Sequence, residues 1–508
     1  MMLKFLVIGV IDIVAGLAIS SAIAADSYLL AAAFSAALLF VNYVYLFKSP
    51  TPMRFMAPGI VFLVAFVVVP IVYTVAMSAF KFQTGNILTK DEARTQVIAR
   101  SIIPDANSTA FDITIGRYDG EYAALMKNQT DGSVSLGTLT TVTPLSEGTF
   151  EADANGVPVG AEGFTPLTEA EAAALGDGLQ ALRFPIGGGK FVSPQYGTLA
   201  VLVSQDFSYD ATRDEIVSAS TGARYRDLGS GNYVNISDEA DVLSPGWRTV
   251  NFPENFTKLF TNPDLRAPFF RVFLWTVMFA FLSVLTTFVL GLGLALALDK
   301  PMRGRALYRS ILILPYAIPS FMSILVWRGM FNTDFGIINR LLMNLGFISE
   351  NVDWFNSTLL SRIVVIVVNL WLGFPYMYLI ASGALQAIPA ELKEAASIDG
   401  ANGRQQLRQI TLPLLLQILS PLLISSFAFN FNNFNIIYLL TEGGPREALA
   451  GERAGGTDIL ISYAYQTAVM NPNARDYGMA SAISMFMFVI VAGLSLWSIR
   501  RSKALEEF

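Results

Sequence analysis

The segment from Glu394 to Pro413, EAASIDGANGRQQLRQITLP, is polar and partly basic, and it lies between two long apolar stretches, 361–386 and 412–440. A bilayer core about 30 Å thick takes roughly 20 apolar residues to cross as a helix. Both neighbouring stretches are long enough for that crossing. The polar segment is therefore predicted to be a loop at one membrane face that joins two transmembrane helices.

The composition of the whole chain agrees with this prediction. Of its 508 residues, 53% are hydrophobic and only 15% are charged, which is more apolar than a soluble core requires. We expect a polytopic α-helical membrane protein with eight transmembrane helices and both termini on the same side. The apolar stretches lie near 3–24, 28–47, 57–80, 269–298, 308–331, 361–386, 412–440 and 477–499.

The positions of the basic residues predict the orientation, because Lys and Arg are retained in short loops on the cytoplasmic side. Such residues follow the second, fourth, sixth and eighth apolar stretches. They are Lys48, Arg54, Lys300, Arg303, Arg305, Arg309, Lys393, Arg404, Arg408, Arg500, Arg501 and Lys503. Both termini are therefore predicted to be cytoplasmic, and the long insertion 81–266 to lie outside the cytoplasm.

The insertion differs in character from the rest of the chain. It is acidic and rich in Gly, Thr, Ser and Asp, with β-like runs such as Thr198–Val203 (TLAVLV) and turn signals such as Asp131-Gly132. We expect an extracytoplasmic domain of mixed α/β or mostly β structure. The predicted organisation is three helices in 1–80, this domain in 81–266, and five helices in 267–508.

The chain offers little for catalysis, because it contains neither Cys nor His. Thiol and imidazole metal sites are excluded, and no disulfide can stabilise the extracytoplasmic domain. The segment 184–191, FPIGGGKF, lacks the first glycine of a phosphate-binding loop and has Phe191 where Ser or Thr should bind magnesium. We interpret it as a β-turn, and we expect no enzymatic activity, no catalytic residue, no metal site and no bound cofactor.

The N-terminus has two interpretations. Ala22-Ile23-Ala24 after an apolar run resembles a signal-peptide cleavage site, and cleavage would leave seven helices. Asp12 inside the run argues instead for a retained helical hairpin with 24–27 as its outer turn. The last five stretches carry almost no ionisable residue away from their ends, which disfavours an ion-coupled carrier. The energy for any transport is thus expected to come from outside the chain.

The polar segment 390–413 is predicted to be a helix-turn-helix on the cytoplasmic face. Glu391–Ser397 favours a helix, Asp399-Gly400 ends it, and Pro413 is tolerated in the first turn of the next helix. An amphipathic helix on the lipid surface is the alternative. The segment resembles the EAA loop of ABC importer permeases. The matching residues are Glu394, Ala395, Ala396, Asp399, Gly400, Ile410, Leu412 and Pro413.

This resemblance implies coupling to a separate ATPase. In that family the EAA helix sits in a cleft of the ATP-hydrolysing subunit and converts its closure into movement of the permease. Glu394 would bond to groups of the partner, and Gly400 would allow the turn. ATP and magnesium would then be bound by the partner and not by this chain.

The stretch Ser425–Asn435, SSFAFNFNNFN, is unusually polar for a membrane helix. Ser426, Asn430 and Asn433 share one helical face, while phenylalanines 427, 431 and 434 form another. The polar face fits either hydrogen bonding to a neighbouring helix or a wet cavity for a hydroxyl-rich solute. Trp371–Tyr376 (WLGFPY) places Gly and Pro mid-membrane, which fits either a broken helix beside a transport site or a packing kink.

Several motifs resemble binding-protein-dependent sugar permeases of the maltose/maltodextrin type. They are WLGFPY, GALQAIP (383–389), ITLPLL, SFAFNFNNF and LLTEGGP (439–445), within a match from about 265 to the C-terminus. Eight helices with a large periplasmic domain after the third also fit this type. The resemblance implies that the sugar contacts Leu372, Gly373, Tyr376, Ser426, Phe429, Asn430 and Asn433.

The resemblance also implies an assembly in a bacterial inner membrane. Its other members would be a second homologous permease subunit, a dimer of ATPase subunits and an extracytoplasmic sugar-binding protein, with lipid around it and no nucleic acid. The domain 81–266 and the loop 441–458 would contact the binding protein. An ion-coupled sugar carrier and a ligand-sensing membrane receptor are the alternatives. The sequence leaves open which α-glucoside is carried.

Overall fold

The computed structural model describes residues 2–24, 28–47, 50–105, 109–179, 182–187, 189–195, 198–299, 302–446, 454–470 and 475–501. The chain forms two compact units. One consists of 1–80 and 251–508, and the other is Lys81–Val250. The first unit is helical and the second is mostly β-structure, as the sequence predicted.

The N-terminal part of the first unit contains two paired helices and a longer third one. Asn42 Nδ2 in the second helix donates a hydrogen bond of 2.8 Å to Asp12 Oδ1 in the first. The expected outer turn of this hairpin lies largely outside the described residues, as do Lys48, Lys300 and Lys503. The helices are α1 (Met2–Ala24), α2 (Tyr28–Leu46), α3 (Thr51–Leu63) and α4 (Val69–Ser78), with a π turn at Val64–Val68 joining the last two.

The second unit contains one large and one small antiparallel sheet with two helices. Eleven strands form the large sheet, with the path β10-β11-β12-β3-β4-β5-β6, and β13 to β16 form the small one in chain order. The helices are α5 (Lys90–Arg100) and α6 (Glu169–Leu175). The strands are β1 (Phe80–Lys81), β2 (Ile102–Pro104), β3 (Ala110–Tyr118), β4 (Glu121–Asn128), β5 (Val134–Thr138), β6 (Val142–Leu145), β7 (Phe150–Ala152), β8 (Pro158–Ala161), β9 (Phe164–Pro166), β10 (Phe184–Gly187), β11 (Lys190–Pro194), β12 (Leu199–Gln205), β13 (Phe207–Asp210), β14 (Glu215–Ser218), β15 (Arg224–Asp227), β16 (Tyr233–Asn235) and β17 (Thr249–Val250).

Alternation along the strands builds the cores of this unit. Phe111 and Ile113 of β3 and Met126 of β4 point into one buried cluster, since successive side chains of a strand face opposite sides. A second cluster packs α5 on the small sheet around Ile216 and Trp247. The glycine-rich segment 184–191 forms the β10–β11 hairpin, in agreement with its interpretation as a turn, although Gly188 lies outside the described residues.

The second unit ends at Val250, earlier than the domain boundary drawn at 266. The next helix, α7 (Glu254–Thr261), packs in the first unit. Its Asn255 donates hydrogen bonds to the carbonyls of Ser78 and Phe80, and its Leu259 is buried among membrane-helix side chains. The polar residues that made this segment resemble the domain therefore anchor it to the helical unit.

The C-terminal part of the first unit contains the remaining helices. A π turn at Leu407–Thr411 makes the run Gly403–Phe431 continuous, and another at Gln466–Met470 extends α17. The helices are α8 (Pro263–Ala297), α9 (Arg305–Ala317), α10 (Ser320–Met330), α11 (Ile337–Asn344), α12 (Thr358–Ala387), α13 (Ala390–Ile398), α14 (Gly403–Gln406), α15 (Leu412–Phe431), α16 (Phe434–Leu440), α17 (Leu460–Tyr465) and α18 (Tyr477–Arg501).

Among the described residues, five helices are long and apolar enough to cross a membrane, and the bent pair α9–α10 makes a sixth. They are Thr51–Ser78, Pro263–Ala297, Thr358–Ala387, Gly403–Phe431 and Tyr477–Trp497. The apolar parts of α1 and α2, Ile8–Ala24 and Leu30–Leu46, are shorter. The polytopic helical fold is thus confirmed, and the count of eight spans stays a prediction.

Two of the predicted stretches are not single straight helices. The stretch 308–331 is split between α9 and α10, whose axes differ by 91°. The stretch 412–440 is interrupted between α15 and α16 at Asn432 and Asn433. Apolar length fixed the position of both stretches along the chain, but it carries no information about a bend inside them.

Candidate functional site

A cavity of about 700 Å³ lies inside the helical unit, at the two interrupted helices. Its size falls in the range that holds small molecules. It is lined by α12, by α15 with the start of α16, by the bend between α9 and α10, and by Thr287 of α8. The lining residues are Thr287, Pro315, Tyr316, Ala317, Ile318, Pro319, Ser320, Ile324, Asn369, Leu372, Gly373, Tyr376, Met377, Ser425, Ser426, Phe429, Asn430, Asn433 and Asn435.

All seven residues predicted to contact solute line this one cavity. α12 contributes Leu372, Gly373 and Tyr376, and the α15–α16 region contributes Ser426, Phe429, Asn430 and Asn433. Ser426 and Asn430 are buried, whereas the ring of Phe429 is 69% exposed and free to meet a ligand. The structure brings the seven together, and their role in binding stays a prediction.

The asparagines of the cavity also bind one another across two helices. Asn369 Nδ2 donates to Asn430 Oδ1 at 3.0 Å, and Asn433 Nδ2 donates to Asn369 Oδ1 at 3.4 Å. Asn430 Nδ2 donates in turn to the Ser426 carbonyl at 2.8 Å. Each carboxamide has two N–H donors and two acceptor lone pairs, so some capacity remains for a ligand. Both interpretations of the polar face, helix contact and cavity lining, therefore hold together.

Asn369 is a site residue that the sequence analysis did not identify. It is 4% exposed and occupies the centre of the asparagine network. The signal was present, because an asparagine within the apolar run VVIVVNLWLG is costly unless it is satisfied. It precedes Leu372 and Gly373 by three and four residues, which places it on their helical face.

The interruption of the seventh predicted stretch lies at the cavity. Asn432 has φ −110° and ψ 18°, and Asn433 has φ −78° and ψ 75°, which ends α15 before α16 begins. Asn432 Nδ2 donates to the Ala428 carbonyl at 3.2 Å, so a side chain replaces a backbone donor that the helix end has lost. Such non-helical backbone is tolerated at membrane depth where it borders a cavity.

The break that WLGFPY suggested is absent, because α12 continues through Pro375. The packing interpretation applies to this segment instead. A Cβ added at Gly373 would lie 2.8 Å from Thr287 Cγ2, so the glycine permits close approach of α8 and α12. The phenylalanine face packs away from the cavity, with Phe431 fully buried and Phe427 against the same cluster.

The predicted helix-turn-helix is present in the segment 390–413. α13 ends at Asp399, and Gly400 has φ +82°, a left-handed conformation that favours glycine. Glu394 and Ala395 are exposed, and Ala396 is buried. Ile398, which lies four residues after Glu394 on the same face, is 86% exposed. α13 therefore presents a carboxylate and a large apolar side chain on one surface, and the sequence analysis had not singled out Ile398.

The charges around α13 favour a contact with protein over a helix that only lies on lipid. Lys393 Nζ lies 4.0 Å from Asp299 Oδ2, and Arg305 Nη2 lies 3.9 Å from Asp299 Oδ1. A basic residue expected to face lipid headgroups is thus directed to a carboxylate at the end of α8. Arg404 and Arg408 are exposed.

A buried carboxylate holds the loop that follows α16. Asp458 is 1% exposed and accepts hydrogen bonds from the Gly455 amide, Ser462 Oγ and Gln466 Nε2. Burial raises the pKa of Asp458 although these hydrogen bonds act in the opposite direction. A Cβ at Gly443 would overlap this carboxylate, which explains the first glycine of the EGGP motif. Residues 447–453 of the loop lie outside the described part.

A helical membrane unit with a polar cavity at interrupted helices and an exposed loop helix defines a solute permease. Residues 268–501 match the family described as the binding-protein-dependent transport system inner membrane component. The chain belongs to this family, in the group of the MalF permease proteins. It is a multi-pass inner-membrane component of a binding-protein-dependent ABC importer, as the sequence resemblance predicted.

Three relatives support the placement in this group, and each is named maltose/maltodextrin transport system permease protein MalF. The Vibrio vulnificus protein is 34% identical over 467 residues, which cover 91% of this chain and 87% of the relative. The Vibrio cholerae protein is 35% identical, with 92% and 88% covered. The Yersinia pestis protein is 32% identical, with 99% and 94% covered.

Proposed function

We propose that this chain is the transmembrane subunit through which an ATP-driven importer moves maltose, maltodextrins or a related α-glucoside. The observation that carries this proposal is the cavity, which collects seven residues matched to sugar contacts together with Asn369. The relatives, whose names specify maltose and maltodextrin transport, support the choice of solute.

The chemistry of the cavity suits a neutral sugar. Its described lining contains four asparagines, three serines and one threonine but no Asp, Glu, Lys or Arg. Carboxamides donate and accept hydrogen bonds and so match vicinal hydroxyls, while Tyr376 and Phe429 offer aromatic faces to the C–H side of a sugar ring. The same lack of lining carboxylates disfavours an ion-coupled carrier, which needs an ionisable group at its site.

Energy enters through α13 in this proposal. Glu394 and Ile398 form the exposed surface that enters the cleft of a MalK-like ATPase dimer, where ATP and magnesium are bound. Ala395, Ala396, Asp399, Gly400, Ile410, Leu412 and Pro413 shape the helix and its connection to α15. Ile388 and Pro389 join α12 to α13 with extended backbone, so movement of α13 is passed to a helix that lines the cavity.

The cycle follows from a two-state arrangement of the membrane helices. ATP-driven closure of the ATPases pushes α13 and opens the cavity to the outside, where a MalE-like binding protein delivers sugar. Hydrolysis reverses the movement and releases sugar to the cytoplasm. A second, MalG-like permease subunit completes the pathway. Both termini are cytoplasmic, the domain after α4 is periplasmic, and this domain contacts the binding protein.

Uptake of radiolabelled maltose into proteoliposomes tests the proposal. The vesicles hold the full assembly, with and without binding protein and internal ATP, and compare wild type with Asn430→Ala. The variant loses hydrogen bonds to Asn369 and the Ser426 carbonyl, which costs roughly 1–3 kcal/mol. Gln417→Ala is the control, since this exposed carboxamide of the same helix lies away from the cavity lining.

We expect uptake that requires both binding protein and ATP, is lost in Asn430→Ala and is retained in Gln417→Ala. Uptake independent of ATP would contradict the importer in favour of an ion-coupled carrier. Sugar binding without net uptake would favour a receptor.

A further inference from the structure

The bend between α9 and α10 contributes six consecutive residues, 315–320, to the cavity lining. Ile318 has φ −87° and ψ 132°, and Pro319 has φ −54° and ψ 126°, so the backbone is extended there. Pro319 has no amide hydrogen, and a residue before proline is disfavoured in the helical conformation. The 91° turn between the two helices is therefore set by the local sequence.

This geometry presents backbone polar groups to the cavity. A helix end leaves its last carbonyls without intrahelical donors, and a helix start leaves its first amides without acceptors. Around the bend, the Ile318 amide donates to the Pro315 carbonyl, and the Met322 and Ser323 amides donate to the Pro319 carbonyl. The carbonyls of 316–318 and the amide of Ser320 thus lie at the cavity edge beside the side chains of Tyr316 and Ser320.

The asparagine side of the cavity cannot satisfy a sugar alone. Asn369, Asn430 and Asn433 already spend part of their hydrogen-bonding capacity on one another. A sugar carries several hydroxyls per ring, and each one that leaves water without a partner costs binding free energy. Further donors and acceptors are needed on another wall, and the bend supplies them together with the aromatic ring of Tyr316.

We propose that residues Tyr316–Ser320 form a second subsite for the same solute. The Tyr316 ring packs against a sugar face, its hydroxyl and that of Ser320 bond sugar hydroxyls, and the carbonyls between them accept further bonds. This inference rests on the proposed function, because it assigns a second wall of the same sugar cavity. The bend then sets how many glucosyl units are held at once, since Tyr316 and Phe429 lie on different elements of the lining.

Equilibrium binding of radiolabelled maltose and of longer maltodextrins to the purified full assembly, without binding protein, tests the subsite. The variants are Tyr316→Ala, Tyr316→Phe and Ser320→Ala. The matched controls on α9 are Tyr308→Ala and Ser310→Ala, at positions outside the cavity lining. ATPase activity of each assembly reports folding separately from sugar binding.

We expect Kd to rise roughly 2- to 10-fold for Ser320→Ala and Tyr316→Phe, as for one lost hydrogen bond, and further for Tyr316→Ala. The ratio of Kd values for long and short sugars should also change, while both controls keep wild-type values. If Asn430→Ala abolishes binding but the three bend variants match the controls, the subsite is refuted and the proposed function stands. Absence of saturable sugar binding by wild type would instead refute the proposed function.

Discussion

Two helices of the cavity, α12 and α15, differ in a way that residue types alone do not suggest. α12 contains Gly373 and Pro375 near its middle and remains continuous over 30 residues. The run from α15 to α16 has neither residue at its interruption, yet it breaks at Asn432 and Asn433. The position of the break follows the supply of polar partners for the freed backbone groups.

Side-chain amides provide those partners at the end of α15. The Ala428 carbonyl accepts from Asn432 Nδ2, and the Phe429 and Asn430 carbonyls accept from the amides of Asn432 and Asn433. Asparagine can thus end a helix inside an apolar environment by replacing backbone donors. α12 has no such group around Pro375, which is buried, so keeping the helix intact leaves fewer polar atoms unsatisfied.

The contrast assigns different roles to the two walls. α12 is held against α8 by close backbone packing, because Gly373 adjoins Thr287 and Gly291 adjoins Met377. The α15–α16 wall is held by hydrogen bonds between asparagines. We therefore expect the first wall to tolerate almost no added volume and the second to respond to loss of individual amides.

The largest effect is expected at Gly373. Gly373→Ala places a methyl group against Thr287 Cγ2 and forces α8 and α12 apart, at a cost of about 1–3 kcal/mol. We expect a lower melting temperature of the purified assembly and at least a tenfold loss of maltose uptake. Thr287→Ser removes the opposing methyl group, keeps the hydroxyl bonded to the Ser283 carbonyl, and should restore both quantities.

Gly383→Ala is the control for this substitution, because a Cβ there meets nothing within 4 Å. Equal losses in Gly373→Ala and Gly383→Ala, or no rescue by Thr287→Ser, would contradict the packing role of Gly373.

Loss of Asn369 should have the next largest effect. Asn369→Ala leaves Asn430 Oδ1 and Asn433 Nδ2 without this partner, which costs roughly 1–3 kcal/mol. Uptake should fall by about an order of magnitude. The double variant Asn369→Ala with Asn430→Ala should lose less than the sum of the single effects, because both belong to one network. Strict additivity in uptake and thermal stability would argue against a shared network.

A direct test of the break compares Asn432→Ala with Pro375→Ala. Asn432→Ala removes the amide that holds the Ala428 carbonyl, and a net effect of about 0.5–1.5 kcal/mol on stability is expected. Pro375→Ala should change uptake less, since α12 is already continuous. Hydrogen exchange of the amides 429–434 should change only in Asn432→Ala. A larger effect of Pro375→Ala would reverse the comparison.

The smallest effect concerns charge in the extracytoplasmic domain, where ion pairs take the place of amides. Lys90 Nζ lies 2.6 Å from Asp214 and 2.7 Å from Asp227. Burial alone would lower the pKa of Lys90, but both carboxylates raise it above its usual range. Burial would likewise raise the pKa of Asp214, yet the hydrogen bond from Lys90 lowers it overall.

The signs of these shifts define the pH window. The contribution of Asp214 is present above its unfolded pKa of about 4 and is lost as pH falls through its lower folded pKa. That of Lys90 is present below about pH 10 and is lost only in stronger base. Hydrogen exchange in 207–235 should therefore be constant between pH 5 and 8 after correction for intrinsic rates, and should rise in acid.

Each partly exposed pair is worth about 1 kcal/mol or less. Lys90→Met should remove the acid dependence, while α12, without charges at the cavity, should show none. An unchanged acid dependence in Lys90→Met would contradict this assignment.

Much of this architecture follows from the sequence because hydropathy, turn residues and helical periodicity are local properties. Apolar length located the helical stretches, and Asp399-Gly400 located the turn after α13. The shared face of Ser426, Asn430 and Asn433 located the polar wall. The bend at Ile318, the partner Asn369 and the packing of Gly373 on Thr287 could not be obtained this way. Each depends on which helices become neighbours, and that is a tertiary property.

The central claim is that solute occupies the cavity between α12 and α15, and the absence of cysteine from this chain permits a direct test. Ser426→Cys places one thiol in the cavity lining, and Ser420→Cys places one on the same helix away from it. The measurement is the rate of alkylation of each thiol in the full assembly, by mass spectrometry of peptides from this chain, with and without maltose. The account predicts that maltose slows alkylation at 426 and leaves 420 unchanged, whereas an unchanged rate at 426 under saturating maltose would contradict it.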